Sequence, residues 1–294
     1  MESRRLVGRW WLPAAADRKV GGILEVGDHG APHLELTDSL LSESLMVAPI
    51  IHGAADGRQI TLLDCSQANG GTMVIAQTMT STQMLRASAA LVGIHLDSSD
   101  DEVFDGFEVS MTGLTAWAGT TGFDRTLTFS QETNQRSKFL VNYIDPVRVT
   151  IPESTETLEL RWKIVTNGPR TSETQRTYRA DETVMLAIQS EPPKAWNGYL
   201  KRVREVRDLI TISMQRPAHV GSRALLINQE EPLPPYRVDT YFQGLSAAED
   251  DVERDFREND MIFTLSDVDL SETLARWLSL RKRLGLPLDV LLGL

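Results

Sequence analysis

The segment 97–108, DSSDDEVFDGFE, carries six carboxylates in twelve residues. Asp97, Ser99, Asp101, Val103, Asp105 and Glu108 fall at positions 1, 3, 5, 7, 9 and 12 of a calcium-loop spacing, Val103 through its carbonyl. The sixth position is Glu102, where the sharp turn of such a loop needs glycine, and the flanks ALVGIHL and FEVSMTGL read as strands instead of helices. The expectation is a solvated acidic hairpin loop without structural calcium. His29, His33, His52, His95 and His219 are scattered, and none pairs at metal-ligand spacing on a predicted helix. His29 and His33 flank a turn and read as surface loop. Cys65 follows ITLLD at a strand end with no obvious base nearby, so a buried thiol is expected and not a nucleophile. No glycine-rich phosphate loop, G-x-S-x-G or H-E-x-x-H occurs. No residue is therefore assigned to catalysis, to a cofactor or to a metal.

Two stretches offer contact chemistry instead. KRVREVR at 201–207 places Lys201, Arg202, Arg204 and Arg207 opposite an apolar helical stripe, with Glu205 and Asp208 diluting the charge. This reads as a solvated face, with contact to nucleic acid as the competing reading. A second basic cluster, RKR at 281–283, stands near the end of the chain. VGRWWLP near the start sets Trp10 beside Trp11. Neighbouring side chains of a strand point to opposite faces, so either the strand is covered on both sides or one ring is a contact surface. Cover on both faces is expected. Trp10, Trp11, Lys201, Arg202, Arg204 and Arg207 form the candidate contact set.

The elements that carry these residues are mostly strands. GGILEV, PHLELT, SLMVAPIIHG, RQITLLDC, GTMVIAQTM and MLRASAALVGIHL are short apolar runs separated by GDHGAP, GAADG and QANGG. The pattern continues through GFEVSMTGLTAW, RTLTFSQE and VRVTIPE with no helix of ordinary length between them. LELRWKIVT and QRTYRADETVMLAIQS predict a further pair of strands, closed by EPP at 191–193. Tyr199, Val203, Val206, Ile210 and Met214 then recur at helical spacing and predict a helix over 196–215. SRALLIN and PPYRVDTYF predict two more strands, and 246–260 an acidic helix or solvated loop. Ser271 is placed to cap a last helix bearing Leu274, Trp277, Leu278 and Arg281.

These elements predict an α+β, mainly β fold: an antiparallel sandwich or barrel-like region over 1–150, a smaller strand-and-helix region over 151–265, and a helical joint over 266–294. The apolar ending PLDVLLGL predicts either a further domain that covers it or a terminal helix docked on its own domain. In the first case self-association through 286–294 is expected.

Composition narrows the function classes. The 294 residues are 41% hydrophobic and 24% charged, an ordinary balance for a globular protein. Thirty basic against forty-one acidic residues give a net charge of −11, which opposes general binding to phosphate backbones. One cysteine rules out an intrachain disulfide and a cysteine-rich zinc site. No signal-peptide run and no membrane-spanning stretch is evident, which predicts a cytoplasmic protein.

The ordered segments GRWWLP, GGILEV, IIHG followed by RQITLLDC, ASAALVGIHL, GLTAW and FTLSDVDLSETLARWLSLRKRL resemble the N-terminal region of the ApeA-like family of bacterial anti-phage proteins. Each motif is a hydrophobic pattern and not a catalytic signature. The resemblance implies a sensing or regulatory module, with a HEPN ribonuclease effector following it that carries an R-x4–6-H motif. None of the five histidines here has an arginine at that spacing, and Arg216 lies too close to His219. The implied function is recognition of a phage or host trigger in an abortive-infection system, with ARWLSLRKRL as the joint to the effector. The alternatives are a β-sandwich module binding carbohydrate or peptide, and an enzyme whose site is assembled from residues far apart in sequence.

Overall fold

The structure is a computed structural model that describes residues 4–27, 30–41, 46–68, 72–75, 78–128, 136–151, 154–171, 176–230, 233–244 and 261–284. The strands of the first half are β1 (Arg4–Trp11), β2 (Val20–Val26), β3 (His33–Leu36), β4 (Val47–Ala55), β5 (Arg58–Ala68), β6 (Thr72–Ile75), β7 (Thr78–Ser81), β8 (Gln83–Arg86), β9 (Ala89–Val92) and β10 (Phe104–Met111). There follow α1 (Leu114–Ala118), β11 (Phe123–Thr128), β12 (Arg136–Val141), β13 (Val147–Thr150), β14 (Glu156–Thr171) and β15 (Arg176–Lys194). The rest comprises α2 (Leu200–Met214), β16 (Val220–Ile227), β17 (Tyr236–Phe242) and α3 (Leu270–Leu284). The chain divides into two compact units. One is made of Met1–Glu108, Pro192–Leu200 and Val220–Val252, the other of Val109–Glu191, Lys201–His219 and Glu253–Leu294.

The first unit is a closed barrel with an extension. Six strands run β5-β4-β1-β2-β3-β8, each antiparallel to the next, and β8 returns to pair with Ser66–Ala68 of β5. Period-two alternation drives the closure: β2 buries Val20, Leu24 and Val26 in turn, β3 buries Leu34 and Leu36, and these side chains fill one interior with Leu6, Trp10 and Ile51. Of the two forms expected from the sequence, sandwich or barrel, the structure is the barrel. β9 continues along the same edge of β5, pairing with Ile60–Leu63, and β17 and then β16 extend the sheet outward.

The second unit combines an antiparallel set, β13-β14-β15, with the β11–β12 hairpin and helices. The expected apolar stripe of α2 is in place, since Val203, Val206, Ile210 and Met214 are buried. Its start differs from the expected Trp196. β15 runs on through Pro192 and Pro193 to Lys194, and 196–199 form turns in which Gly198 N–H bonds Ala195 O at 2.9 Å and Leu200 N–H bonds Asn197 O at 3.1 Å. Asn197 and Gly198, poor helix formers, hold the helix off until Leu200. The cap of α3 also differs. Asp269, not Ser271, accepts the Glu272 N–H at 2.9 Å, as an N-cap carboxylate does. The GLTAW step, expected within a strand run, leaves the strand at Met111 and forms α1, a single turn between two left-handed glycines, Gly113 and Gly119. The acidic run 246–260, His29 and the apolar ending 286–294 lie outside the described residues.

Candidate functional site

β1 sends its two indoles in opposite directions. Trp10, fully buried, enters the barrel and lies opposite Gly53 of β4, where an added methyl would overlap its six-membered ring. Trp11 faces the other side and pairs in register with His52. It is covered there by imidazoles, with His52 6.3 Å and His95 5.4 Å away between ring centres, both edge-on, and Lys19 Nζ 4.3 Å from the centre of the Trp11 ring. The imidazoles stack on each other at 4.4 Å. His52 Nε2–H donates to Leu96 O at 2.8 Å and His95 Nε2–H to Gly53 O at 2.9 Å; a carbonyl only accepts, so each ring keeps its proton on Nε2.

Burial holds the His95 pKa below its ordinary value against the opposing bond to Gly53, with His52 and Lys19 adding repulsion. A histidine depressed in the folded state binds its proton more readily when unfolded, so its neutral form stabilises the fold above about pH 6.5 and that stability is lost as pH falls below it. The expected result is a melting temperature that declines between about pH 7.5 and 5.5. The decline should flatten in His95→Gln; an unchanged slope in that variant would assign it to other groups.

Three carboxylates of the acidic segment 97–108 are engaged in hydrogen bonds or an ion pair. Asp101 Oδ2 accepts the Asp97 and Ser98 N–H groups at 3.0 and 2.9 Å, Asp105 Oδ2 accepts Asn228 N–H at 2.7 Å, and Glu108 pairs with Arg237. The flanking elements are β9 and β10, strands as expected. Burial, with the Asp64 charge beside it, pushes the Cys65 thiol up to about 12, which leaves no thiolate near neutral pH.

The basic residues of α2 separate into two kinds. Lys201 and Arg204 are exposed. Arg202 is not part of a solvated face: its side chain is 16% exposed, its Nε donates to Glu156 at 2.7 Å, and it also pairs with Glu205. Arg207 bonds Asp208 at 3.0 Å, and Asp208 also pairs with Arg281 of the second basic cluster. Trp277 of α3 donates its indole N–H to Glu205 O at 2.8 Å, so α3 and β14 cover part of the polar side of α2 that sequence pattern leaves to solvent. Six residues were candidates for contact; the structure buries both tryptophans and engages Arg202 and Arg207 in ion pairs, leaving Lys201 and Arg204 open.

Sequence reading passes over an open cleft of about 420 Å³ in the second unit, lined by Gly113, Thr115, Ala116, Thr120, Thr121 and Glu182 among others. Its wall is the GLTAW turn. Gly113 takes φ +78°, and Met214 fills the place its side chain would need, so this bend requires glycine twice over. Glu182 and Val184 of β15 face the loop after α1 on one side of the sheet, in register with Ile164 and Trp162 of β14. Val184 N–H donates to Thr115 Oγ1 at 3.1 Å, Trp162 Nε1–H to Thr120 O at 2.8 Å, and Glu182 accepts from the Thr121 hydroxyl and the Gly122 N–H, each at 2.7 Å. The loop is thus bound along its length, and the cleft is preformed. The signal for it in sequence was the pair of glycines around LTAWA, a turn with no partner residue nearby in the chain.

No curated protein and no solved structure matches the chain. No helix among the described residues is long and apolar enough to cross a membrane. Residues 5–277 match the family described as ApeA N-terminal domain 1, a span that includes the barrel, the GLTAW turn and most of α3. The chain therefore belongs to the ApeA N-terminal domain 1 family.

Proposed function

We propose that this chain is the recognition module of a cytoplasmic anti-phage protein, responding to a phage or host trigger and controlling a HEPN ribonuclease effector that its own residues do not encode. The family is one of N-terminal domains, and its name ties it to anti-phage defence. The observation that carries the reading is the match over 5–277 in a sequence that nowhere sets an arginine at the R-x4–6-H spacing before a histidine. The chemistry is in keeping with it: burial keeps Cys65 a thiol, His52 and His95 are stacked under Trp11, and Asp101, Asp105 and Glu108 bond backbone N–H groups and an arginine.

The test is competition in cells. A full-length protein carrying this N-terminal region protects its host, and the free chain, expressed in excess, should sequester the trigger and restore plaque formation. The purified chain should leave total RNA intact, and its expression alone should not slow growth. Protection that is indifferent to a large excess of the chain would overturn the sensing role. RNA cleavage that follows the chain through purification and disappears on mutating one of its residues would overturn the assignment of the nuclease elsewhere.

A further inference from the structure

We propose that the cleft beside the GLTAW turn binds a guanidinium group, the arginine side chain of a peptide, through Glu182. The inference concerns the chemistry of the cleft and stands apart from the phage-defence reading. A failed competition assay would leave it intact, and a failed titration would leave that reading intact.

Glu182 is the charged residue among the described residues that line the cleft, and no described lysine or arginine pairs with it. This sets it apart from other carboxylates of the same unit, Glu156, Glu159, Asp181, Glu205, Asp208 and Glu272 among them, which each meet an arginine. Glu182 is nonetheless held in place. Oε2 accepts the Thr121 hydroxyl and Oε1 the Gly122 N–H, each at 2.7 Å, so both oxygens are fixed and each keeps a further lone pair. A fixed carboxylate with one free acceptor position on each oxygen matches the two parallel N–H groups of a guanidinium; an ammonium engages as a point charge and gains less from that geometry.

The remaining polar lining leaves acceptor positions open to a donor, one on Thr115 Oγ1 and one on Thr121 Oγ1. Thr115 Oγ1 already accepts Val184 N–H, and Thr121 Oγ1 accepts Phe123 N–H at 3.1 Å while its proton goes to Glu182. The exposed Thr120 adds a third hydroxyl. A phosphate or carboxylate ligand would meet the Glu182 charge with no cation among the described lining residues to offset it. At about 420 Å³ the cleft exceeds a guanidinium and has room for the aliphatic stem and adjoining peptide, over Ala116 and the glycines.

The experiment is saturation-transfer NMR on the whole chain with Nα-acetyl-arginine methylamide, its citrulline analogue and a methyl glucoside. Citrulline keeps the shape of arginine and removes the charge. The expected result is saturable binding of the arginine probe, weaker by about tenfold or more for citrulline and for Glu182→Gln, as loss of a charged hydrogen-bonding partner brings. Ala116→Phe, which fills the cleft without touching the carboxylate, should abolish binding, and it serves if Glu182→Gln does not fold. Equal binding of arginine and citrulline overturns the proposal, as does binding undiminished in a folded Glu182→Gln or Ala116→Phe variant. So does no arginine signal at about 10 mM, the weak end expected for a single side chain. Glucoside binding that competes with or replaces that of arginine would assign the cleft to a hydroxyl ligand and equally overturn it.

Discussion

Trp10→Ala lowers the stability of the barrel unit by about 3–5 kcal/mol, the range for truncating a large aromatic in a packed core. The reason lies in the register. Trp10 stands between Val20 on β2 and Gly53 on β4, and its ring lies over the glycine, so alanine leaves a void that neither neighbour can reach across. Gly53→Ala, the converse change, drives a methyl into the indole and costs about 1–3 kcal/mol. The two substitutions should not add. In the Trp10→Ala background the extra methyl enters the space the ring has left, and the cost of Gly53→Ala falls to near zero or changes sign. Urea denaturation of the three variants and the unsubstituted chain measures the cycle. Strict additivity would mean that the ring and the glycine do not pack on each other, and an unchanged midpoint for Trp10→Ala would put the indole outside the core.

Arg202→Met costs a similar amount, about 3–5 kcal/mol, while Lys201→Met and Arg204→Met stay within about 0.5 kcal/mol. All four positions considered on this helix are basic, yet only their surroundings decide the outcome. The carboxylates facing Arg202 have side chains 6% and 10% exposed, Glu156 and Glu205 respectively, and methionine gives them neither charge nor donor. Lys201 and Arg204 project into water, where removing a charge changes little. Thermal unfolding and RNA affinity, measured on the same three variants, separate this from a nucleic-acid face. A surface role predicts weaker RNA binding with unchanged melting for Arg202→Met, and that outcome would sink the ion-pair account.

The same residues show how much the sequence discloses. Alternation in GGILEV and PHLELT is a local property, and both became strands with Leu24, Val26, Leu34 and Leu36 inward. Helical spacing from Tyr199 to Met214 likewise placed α2, and the ordered apolar segments carried the resemblance to the family the chain belongs to. What pattern alone cannot reach is the identity of a distant neighbour. Arg202 looks solvent-facing on a helical wheel because Glu156, its partner, is forty-six positions away on β14. The cleft is hidden for the same reason: Glu182 meets Thr121 and Gly122 across some sixty residues, and nothing around Glu182 in the chain marks it as special. The α2 start and the α3 cap failed differently, through local competition, Asn197 and Gly198 in one case and Asp269 ahead of Ser271 in the other.

One edge of β5 serves β8 and then β9, with only Ala87 and Ser88 between them. Ser88 fastens the junction, its N–H and hydroxyl reaching Leu63 O at 2.9 and 3.0 Å and the hydroxyl also Asp64 Oδ2 at 2.9 Å. The barrel therefore has a seam stitched by the same run of chain that starts the outer sheet. Unzipping the seam strips β5 of β8 and pulls on β9 together, so breathing of the barrel and fraying of the extension become one cooperative event. A barrel opened at this seam, with bare strand edges that would recruit strands from other molecules, therefore forms only together with a loosened extension.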